Sequence, residues 1–211
     1  MNAFADLTLH PPLLKALAEL NYTEMTPVQA ASLPAVLQGK DVVAQAKTGS
    51  GKTAAFALGL LSALQVNRIQ VQGLVLCPTR ELADQVSREI RRLAAFIPNV
   101  KVLTLCGGVP RRTHINSLTH EPHIAVGTPG RILDLLKKKA LSLTALKVLV
   151  LDEADRMLDM GFAEAIEDIV AYAPTQRQTL MFSATMPDPI RQFSRQFQKA
   201  PLDVTIKSDA D

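Results

Sequence analysis

The sequence predicts an α/β fold in which a mostly parallel sheet is covered by helices on both faces. Three observations predict it. Short apolar runs of strand length alternate with longer helix-period segments through most of the 211 residues. Those runs are apolar at consecutive positions rather than at every second one, which is how strands buried on both faces read. The strand–helix–strand order then repeats, and such repeats form parallel sheets with right-handed crossovers.

In chain order, amphipathic helices are predicted at about 11–21 and 27–38, before a first strand at Val42-Val43-Ala44. A helix over about 52–66 leads to a strand at 73–77, and one over about 80–96 to a strand at 102–106. After a helix at about 112–120, strands are predicted at 124–126, 148–151 and 179–182. Each of these three is followed by a helix, at about 129–140, 154–172 and 188–199. Thr53 and Thr79 carry the side-chain oxygen that suits a helix start, while Pro98, Pro174 and Pro201 mark stops. The chain ends in a polar run, Lys207-Ser208-Asp209-Ala210-Asp211, which reads as a tail or linker.

Composition agrees with a folded domain. With 47% hydrophobic and 20% charged residues, a disordered chain is excluded. A chain of this length buries roughly 70% of the surface its unfolded form exposes, enough for one sizeable core. Seven Phe, two Tyr and no Trp leave that core to Val, Leu, Ile and Ala. The net charge of +3 permits an anionic partner without requiring one. Cys77 and Cys106 each end an apolar run and read as reduced core thiols, not as a disulfide or metal site. The first twenty residues hold Asp6, Lys15 and Glu19 and no apolar h-region, and the apolar stretch 54–64 is too short to span a bilayer. A cytoplasmic protein without a membrane partner is expected.

The strongest motif is Ala46-Lys47-Thr48-Gly49-Ser50-Gly51-Lys52-Thr53, which follows a predicted strand and opens a predicted helix. Gly49 and Gly51 let the backbone approach phosphates, and successive N–H groups with the helix N-terminus form a positive cradle. Lys52 can reach the β- and γ-phosphates, and the Thr53 hydroxyl is placed to ligate Mg²⁺. The competing reading is a flexible Gly-Ser turn, which would not need Gly-Lys-Thr at the helix start. Ala46 occupies the position where the general pattern has its first Gly.

The second motif is Val148-Leu149-Val150-Leu151 running into Asp152-Glu153-Ala154-Asp155. A carboxylate at the end of a buried strand is costly unless it serves a cation or a hydrogen-bond network. Asp152 would hold Mg²⁺, directly or through water, and Glu153 would polarise an attacking water. An acidic helix N-terminus, favoured by the macrodipole, is the alternative. Both motifs together, in order and on predicted strands, are rare by chance. The other strands run into Pro78-Thr79-Arg80-Glu81, Gly107-Gly108, Thr128-Pro129-Gly130-Arg131 and Ser183-Ala184-Thr185. In a parallel sheet these loops share one rim, the edge where open α/β sheets bind ligands. Their N–H groups, hydroxyls and arginines suit a phosphate-rich ligand.

This ordered set resembles the first-half motifs of the DEAD-box RNA helicases, over essentially the whole chain. The resemblance implies a three-layer RecA-like P-loop NTPase fold, ATP and Mg²⁺ as cofactors, and RNA as partner. Phe4, Tyr22, Thr26, Pro27 and Gln29 are similar to the family's adenine-recognition segment, where an aromatic stacks on the base and a glutamine reads its amino edge. Asn21 stands where the family usually has Gly. Without the resemblance the segment would read as an amphipathic helical hairpin with Phe4 and Tyr22 in the core. By the same resemblance, Ser183 and Thr185 contact Asp155 and couple nucleotide state to RNA binding. Pro78, Thr79, Arg80, Gly107, Gly108, Thr128, Pro129, Gly130 and Arg131 are implied to form the RNA path. The implied organisation is an adenine-recognition segment at 1–30, a RecA-like ATP-binding domain at 31–207 and a tail at 208–211.

Other features are ordinary. Lys137-Lys138-Lys139 reads as a solvated helix end, and Glu164, Glu167 and Asp168 as an exposed face. Arg111-Arg112 suits RNA contact or plain surface equally. His10, His114, His120 and His123 show no ligand spacing. The run Leu76-Cys77-Pro78-Thr79-Arg80-Glu81-Leu82-Ala83-Asp84-Gln85 resembles bacterial members of the family, of the DbpA-type ribosome-assembly group, a resemblance that implies rRNA as the target. Rival readings are another P-loop enzyme, such as a DNA helicase or nucleotide kinase, and a nucleotide-gated RNA clamp.

The family needs a second RecA-like domain whose arginines complete the ATP site, and nothing after Thr185 resembles its motifs. A supplied arginine is worth about 10³–10⁵ in phosphoryl-transfer rate. This chain, expected to be a monomer, should therefore bind adenine nucleotide yet hydrolyse ATP poorly by itself. Duplex unwinding by the purified 211-residue chain would overturn that expectation.

Overall fold

Apolar strands and amphipathic helices assemble here as the periodicities require. The structure, a computed structural model, describes residues 2–206. A 3₁₀ turn at Phe4–Asp6 precedes α1 (Pro11–Glu19) and α2 (Pro27–Leu37). Then come β1 (Val42–Gln45), α3 (Lys52–Ala63), β2 (Gly73–Leu76), α4 (Arg80–Leu93), β3 (Val102–Leu105) and α5 (Arg111–Ser117). β4 (Ile124–Gly127), α6 (Pro129–Lys137), β5 (Val148–Leu151), α7 (Ala154–Asp159), α8 (Ala163–Ala171), β6 (Gln178–Ser183), α9 (Asp188–Phe197) and β7 (Leu202–Thr205) complete it.

All paired strands are parallel, in the order β3-β4-β2-β5-β6-β1-β7. Successive strand residues point to opposite faces, and both faces are dry. Val42, Ala44, Val75, Val150, Leu180 and Phe182 pack in one core with Leu13, Leu33, Phe56 and Ile90 of α1–α4. Val43, Leu74, Leu76, Leu149, Leu151 and Met181 pack in the other with Ile132, Met157, Ile169 and Phe193 of α6–α9. This is the fold class the sequence predicts, a three-layer RecA-like arrangement. Among the described residues no helix is long and apolar enough to cross a membrane.

Three sequence expectations need correction. The helix expected over 154–172 is two helices. Gly161, at φ +84°, ends α7 in a Schellman motif, with Gly161 N–H donating to the Leu158 carbonyl and Phe162 N–H to the Met157 carbonyl. The edge strand β7 carries almost no hydrophobic signal, because only Val204 of its four residues is buried. Thr53 is not a helix cap: α3 begins at Lys52 with Gly51 as its N-cap, which puts Thr53 inside the first turn. Thr79 does cap α4, its hydroxyl accepting from Leu82 N–H at 3.3 Å. The predicted polar tail lies outside the described residues.

Buried polar clamps hold the amino ends of the central strands. Asp41 accepts from the N–H groups of Thr179 at 2.8 Å and Lys199 at 2.7 Å. Gln198 Nε2 donates to the carbonyls of Val42 and Thr179, both at 2.8 Å. These bonds tie β1, β6 and the end of α9 together, and so set the opposite, carboxyl ends of β1 and β6 side by side.

Cys77 and Cys106 are free and buried, as the sequence suggests. Burial pushes the Cys106 thiol up to about 11, while burial and then the Asp152 charge raise Cys77 well above its ordinary value. The folded state therefore holds these protons more tightly than the unfolded state. Their contribution to stability is complete below the ordinary thiol pKa of about 8.5 and is lost as pH rises toward the folded values. Disulfide-exchange labelling at pH 8 should modify both cysteines only as fast as the chain unfolds, with direct native-state labelling of Cys106 appearing as pH approaches about 11.

Candidate active site and nucleic-acid rim

The site starts at the carboxyl end of β1, where the chain must turn sharply into α3. Gly49 and Gly51 take φ +84° and +87°, the left-handed region that side chains resist. A Cβ on Gly51 would lie 2.6 Å from Gln29 Nε2 and 2.8 Å from Thr26 Oγ1, so the Thr26–Gln29 segment presses directly on the loop. Ala46 is not in the left-handed region. Its N–H donates to the Ser183 carbonyl at 2.9 Å, continuing the ladder, which is why Ala serves where the general pattern has Gly. Lys47 and Thr48 are exposed at the loop tip. Ser50 N–H donates to the Lys47 carbonyl at 3.2 Å.

Lys52 points back beneath this loop to the end of β5. Its Nζ lies 2.9 Å from Asp152 Oδ1 and 3.9 Å from Glu153 Oε2. Lys52 is 4% exposed and Asp152 2%, so each charge is tolerable only because the other is there. Burial raises the Asp152 carboxyl above its ordinary value, against the opposing pull of Lys52. Glu153 has φ +51°, a strained conformation for a non-glycine residue that aims its carboxylate at the loop. Thr48 Oγ1 donates to Glu153 Oε1 at 3.4 Å.

The N-terminal segment closes the other side. Asn21 has φ +59°, the C-terminal cap position of α1 that favours Gly and, after it, Asn. The turn aims Tyr22 along the cavity, where burial and then the Glu89 carboxylate raise its phenol above the ordinary value. Thr26 N–H donates to Gln29 Oε1 at 2.8 Å, and Gln29 Nε2 donates to the Gly51 carbonyl at 2.9 Å. Pro27 is the first residue of α2. An amide has two lone pairs and two N–H protons, so each end of Gln29 keeps one site for a ligand. Phe4 is 3% exposed and thus a core residue, as the hairpin reading has it, and it also borders the cavity.

One cavity of about 630 Å³ joins Phe4, Tyr22, Thr26 and Gln29 to Gly49, Gly51, Lys52 and Thr53 and to Asp152 and Glu153. The Oγ atoms of Thr26 and Ser50 are buried without a hydrogen-bond partner. A glycine cradle, unpartnered hydroxyls and a buried lysine fit a nucleotide triphosphate. The sequence reading missed the α4 wall of this cavity: Leu82, Gln85, Val86 and Glu89. Their helical spacing was visible, but only the packing shows that this stripe faces a ligand site.

A second group gathers at the carboxyl ends of β6 and β5. Asp155 N–H donates to Ser183 Oγ at 3.2 Å, while Thr185 donates to Asp155 Oδ2 from its N–H at 3.2 Å and its hydroxyl at 2.9 Å. A third group lies at the ends of β2, β3 and β4 and does not line the cavity. Pro78 and Pro129 are buried there, while Arg80, Gly107, Gly108 and Gly130 are exposed and Thr79 and Thr128 half-buried. Arg131 turns inward: its Nη1 donates to the Val109 carbonyl at 2.7 Å and to His114 Nδ1 at 2.9 Å.

Residues 26–193 match the DEAD/DEAH box helicase family. The chain belongs to that family. It is 60% identical over 209 residues to the ATP-dependent RNA helicase DbpA of Escherichia coli, covering 99% of this chain and 46% of that protein. It is 46% identical over 208 residues to the DEAD-box ATP-dependent RNA helicase CshA of Geobacillus kaustophilus, covering 99% of this chain and 44% of that protein. The structure superposes on a DEAD box protein from the hyperthermophile Methanococcus jannaschii with a TM-score of 0.93 at 36% identity, over 98% of this chain and 56% of that one. The chain thus spans about half the length of the DEAD-box relatives it matches.

Breaking a buried pair by removing one partner typically costs about 3–5 kcal/mol. Lys52→Ala should therefore destabilise the nucleotide-free domain by about that much, because Asp152 is left buried and unpaired. Adding Asp152→Asn should restore most of the loss. Urea unfolding of the single and double variants checks this, and an unrestored double variant would contradict it.

Proposed function

We propose that this chain is the ATP-binding half of an ATP-dependent RNA helicase that hydrolyses ATP and separates short RNA duplexes locally. The observation carrying this reading is the single cavity that holds the Gln29–Gly51 clamp at one end and Lys52, Asp152 and Glu153 at the other.

Adenine would lie between Tyr22 and Gln29, whose remaining donor and acceptor match the two hydrogen-bonding atoms of its amino edge. The phosphates would meet the N–H groups of Gly49–Thr53 and draw Lys52 from Asp152. Mg²⁺ would be held by Asp152, directly or through water, and by the Thr53 hydroxyl, neutralising charge between the β- and γ-phosphates. Glu153 would accept a proton from the water that attacks the γ-phosphorus. The bond from that phosphorus to the bridging oxygen then breaks, leaving ADP and phosphate. Thr185 and Ser183 sense the change through Asp155, one residue beyond Ala154, and pass it to the rim. Arg80, Gly107, Gly108, Thr128 and Gly130 would meet the sugar–phosphate backbone of RNA. A second RecA-like domain would close on both ligands. The resemblance to the DbpA-type group extends the proposal to rRNA during ribosome assembly, in the cytoplasm.

RNA-stimulated ATPase assays on a protein that joins this chain to a second domain test the reading. RNA should raise turnover, and Glu153→Gln should lower kcat by about 10²–10⁴ while leaving nucleotide affinity near wild type. ATPase activity indifferent to RNA would favour a different P-loop enzyme, and RNA binding with negligible turnover would favour a nucleotide-gated clamp.

A further inference from the structure

His114 carries no expected role in the sequence, yet it is 5% exposed and meets Arg131 beneath the rim. Arg131 stands in the first turn of α6, and His114 in α5. Arg131 Nη1 donates to the Val109 carbonyl at 2.7 Å and to His114 Nδ1 at 2.9 Å. A guanidinium only donates, so the second bond needs an imidazole with Nδ1 free and its proton on Nε2. Val109 directly follows Gly107-Gly108, and Gly108 takes φ +86°. Arg131 therefore grips the loop at its carbonyl, and His114 grips Arg131. Among the nine rim residues that the family resemblance assigns to RNA, Arg131 is the one whose guanidinium is hydrogen-bonded inward on both of these partners.

We propose that His114 is a positioning residue for RNA binding: in its neutral form it fixes Arg131, and through it the Gly107–Pro110 loop, against the RNA backbone. The inference rests on the RNA reading above. Protonation would remove the acceptor and set an imidazolium beside a guanidinium. The α6 carboxylate that could compensate, Asp134, is engaged by Arg111 at 3.1 Å. Arg112 follows on α5, and Arg80 approaches from α4, its Nη1 3.4 Å from where a Gly108 Cβ would stand. Arg131 is the charge that acts on His114 itself. Burial, and then the Arg131 charge, hold the His114 pKa below its ordinary value. The linkage is thus formed at neutral pH and released in acid.

Two variants separate acceptor chemistry from packing. His114→Gln keeps an acceptor that does not titrate in this range, and His114→Leu keeps volume without an acceptor. In the 211-residue chain, the amide NMR signals of Gly107, Gly108 and Val109 should move with the His114 ring as the pH is lowered from neutral and the ring takes up its proton. They should stay in place in His114→Gln and be displaced at every pH in His114→Leu. Affinity for a fluorescent single-stranded RNA should fall about 5- to 10-fold on acidification of the wild type. It should stay flat in His114→Gln and be already lowered in His114→Leu, with ATP affinity unchanged in all three. Loop signals that ignore the His114 titration would overturn the proposal, as would equal RNA binding by the Gln and Leu variants. Absence of RNA binding by every form at neutral pH would overturn the RNA reading itself, while the loop signals would still decide the His114–Arg131 linkage.

Discussion

Lys52 reaches from the first turn of α3 to Asp152 at the end of β5, across the strand that separates their two strands in the sheet. Neither charge could be buried alone, since an isolated ion in a low-dielectric interior costs several kcal/mol. The pair therefore constrains much else. β1 and β5 must end at the same level on either side of β6, and the buried clamps of Asp41 and Gln198 set β1 against β6 from the opposite end of the strands. The turn after β1 must expose N–H groups rather than side chains, which the left-handed glycines allow.

Short polar links run outward from this centre. Glu153 is strained at its own backbone, and two residues later Asp155 is held by Ser183 and Thr185. The Ser183 carbonyl in turn accepts from Ala46, the first residue of the glycine-rich loop. The loop and β6 are thus joined by a hydrogen bond between strand ends rather than by a flexible tether. On the far side of the sheet, the β3–α5 loop is held by its own strut, Arg131 with His114. The cavity and the third group of loops stand at the ends of different strands of one sheet.

Most of the frame was legible because strands buried on both faces leave unbroken apolar runs, and helices leave a 3.6-residue period. The misses share a cause. β7 is an edge strand with one buried side chain, so hydrophobic patterning has nothing to report. The break between α7 and α8 turns on Gly161, whose left-handed cap looks in sequence like any tolerated helical glycine. Thr53 resembles a capping residue, but Gly51 already ends the turn. In the site, Gln29 stood out only through the family resemblance, whereas the phosphate-loop motif and the acidic pair were visible because their chemistry needs particular residue types at short spacing. The α4 wall and His114 were not, because leucine, valine and histidine at helical spacing suit a core equally well.

The sequence by itself determined the layer architecture, the positions of the phosphate loop and the acidic pair, and membership in a family whose motifs fall in one order. These are encoded locally, in periodicity and in runs of a few residues. Only the tertiary structure decided which of those residues meet. Thr26 and Gln29 close on Gly51 from 22 residues away in the case of Gln29, and Arg131 faces His114 rather than solvent. Contacts of that kind depend on strand order and on where each strand ends, which a linear pattern does not specify.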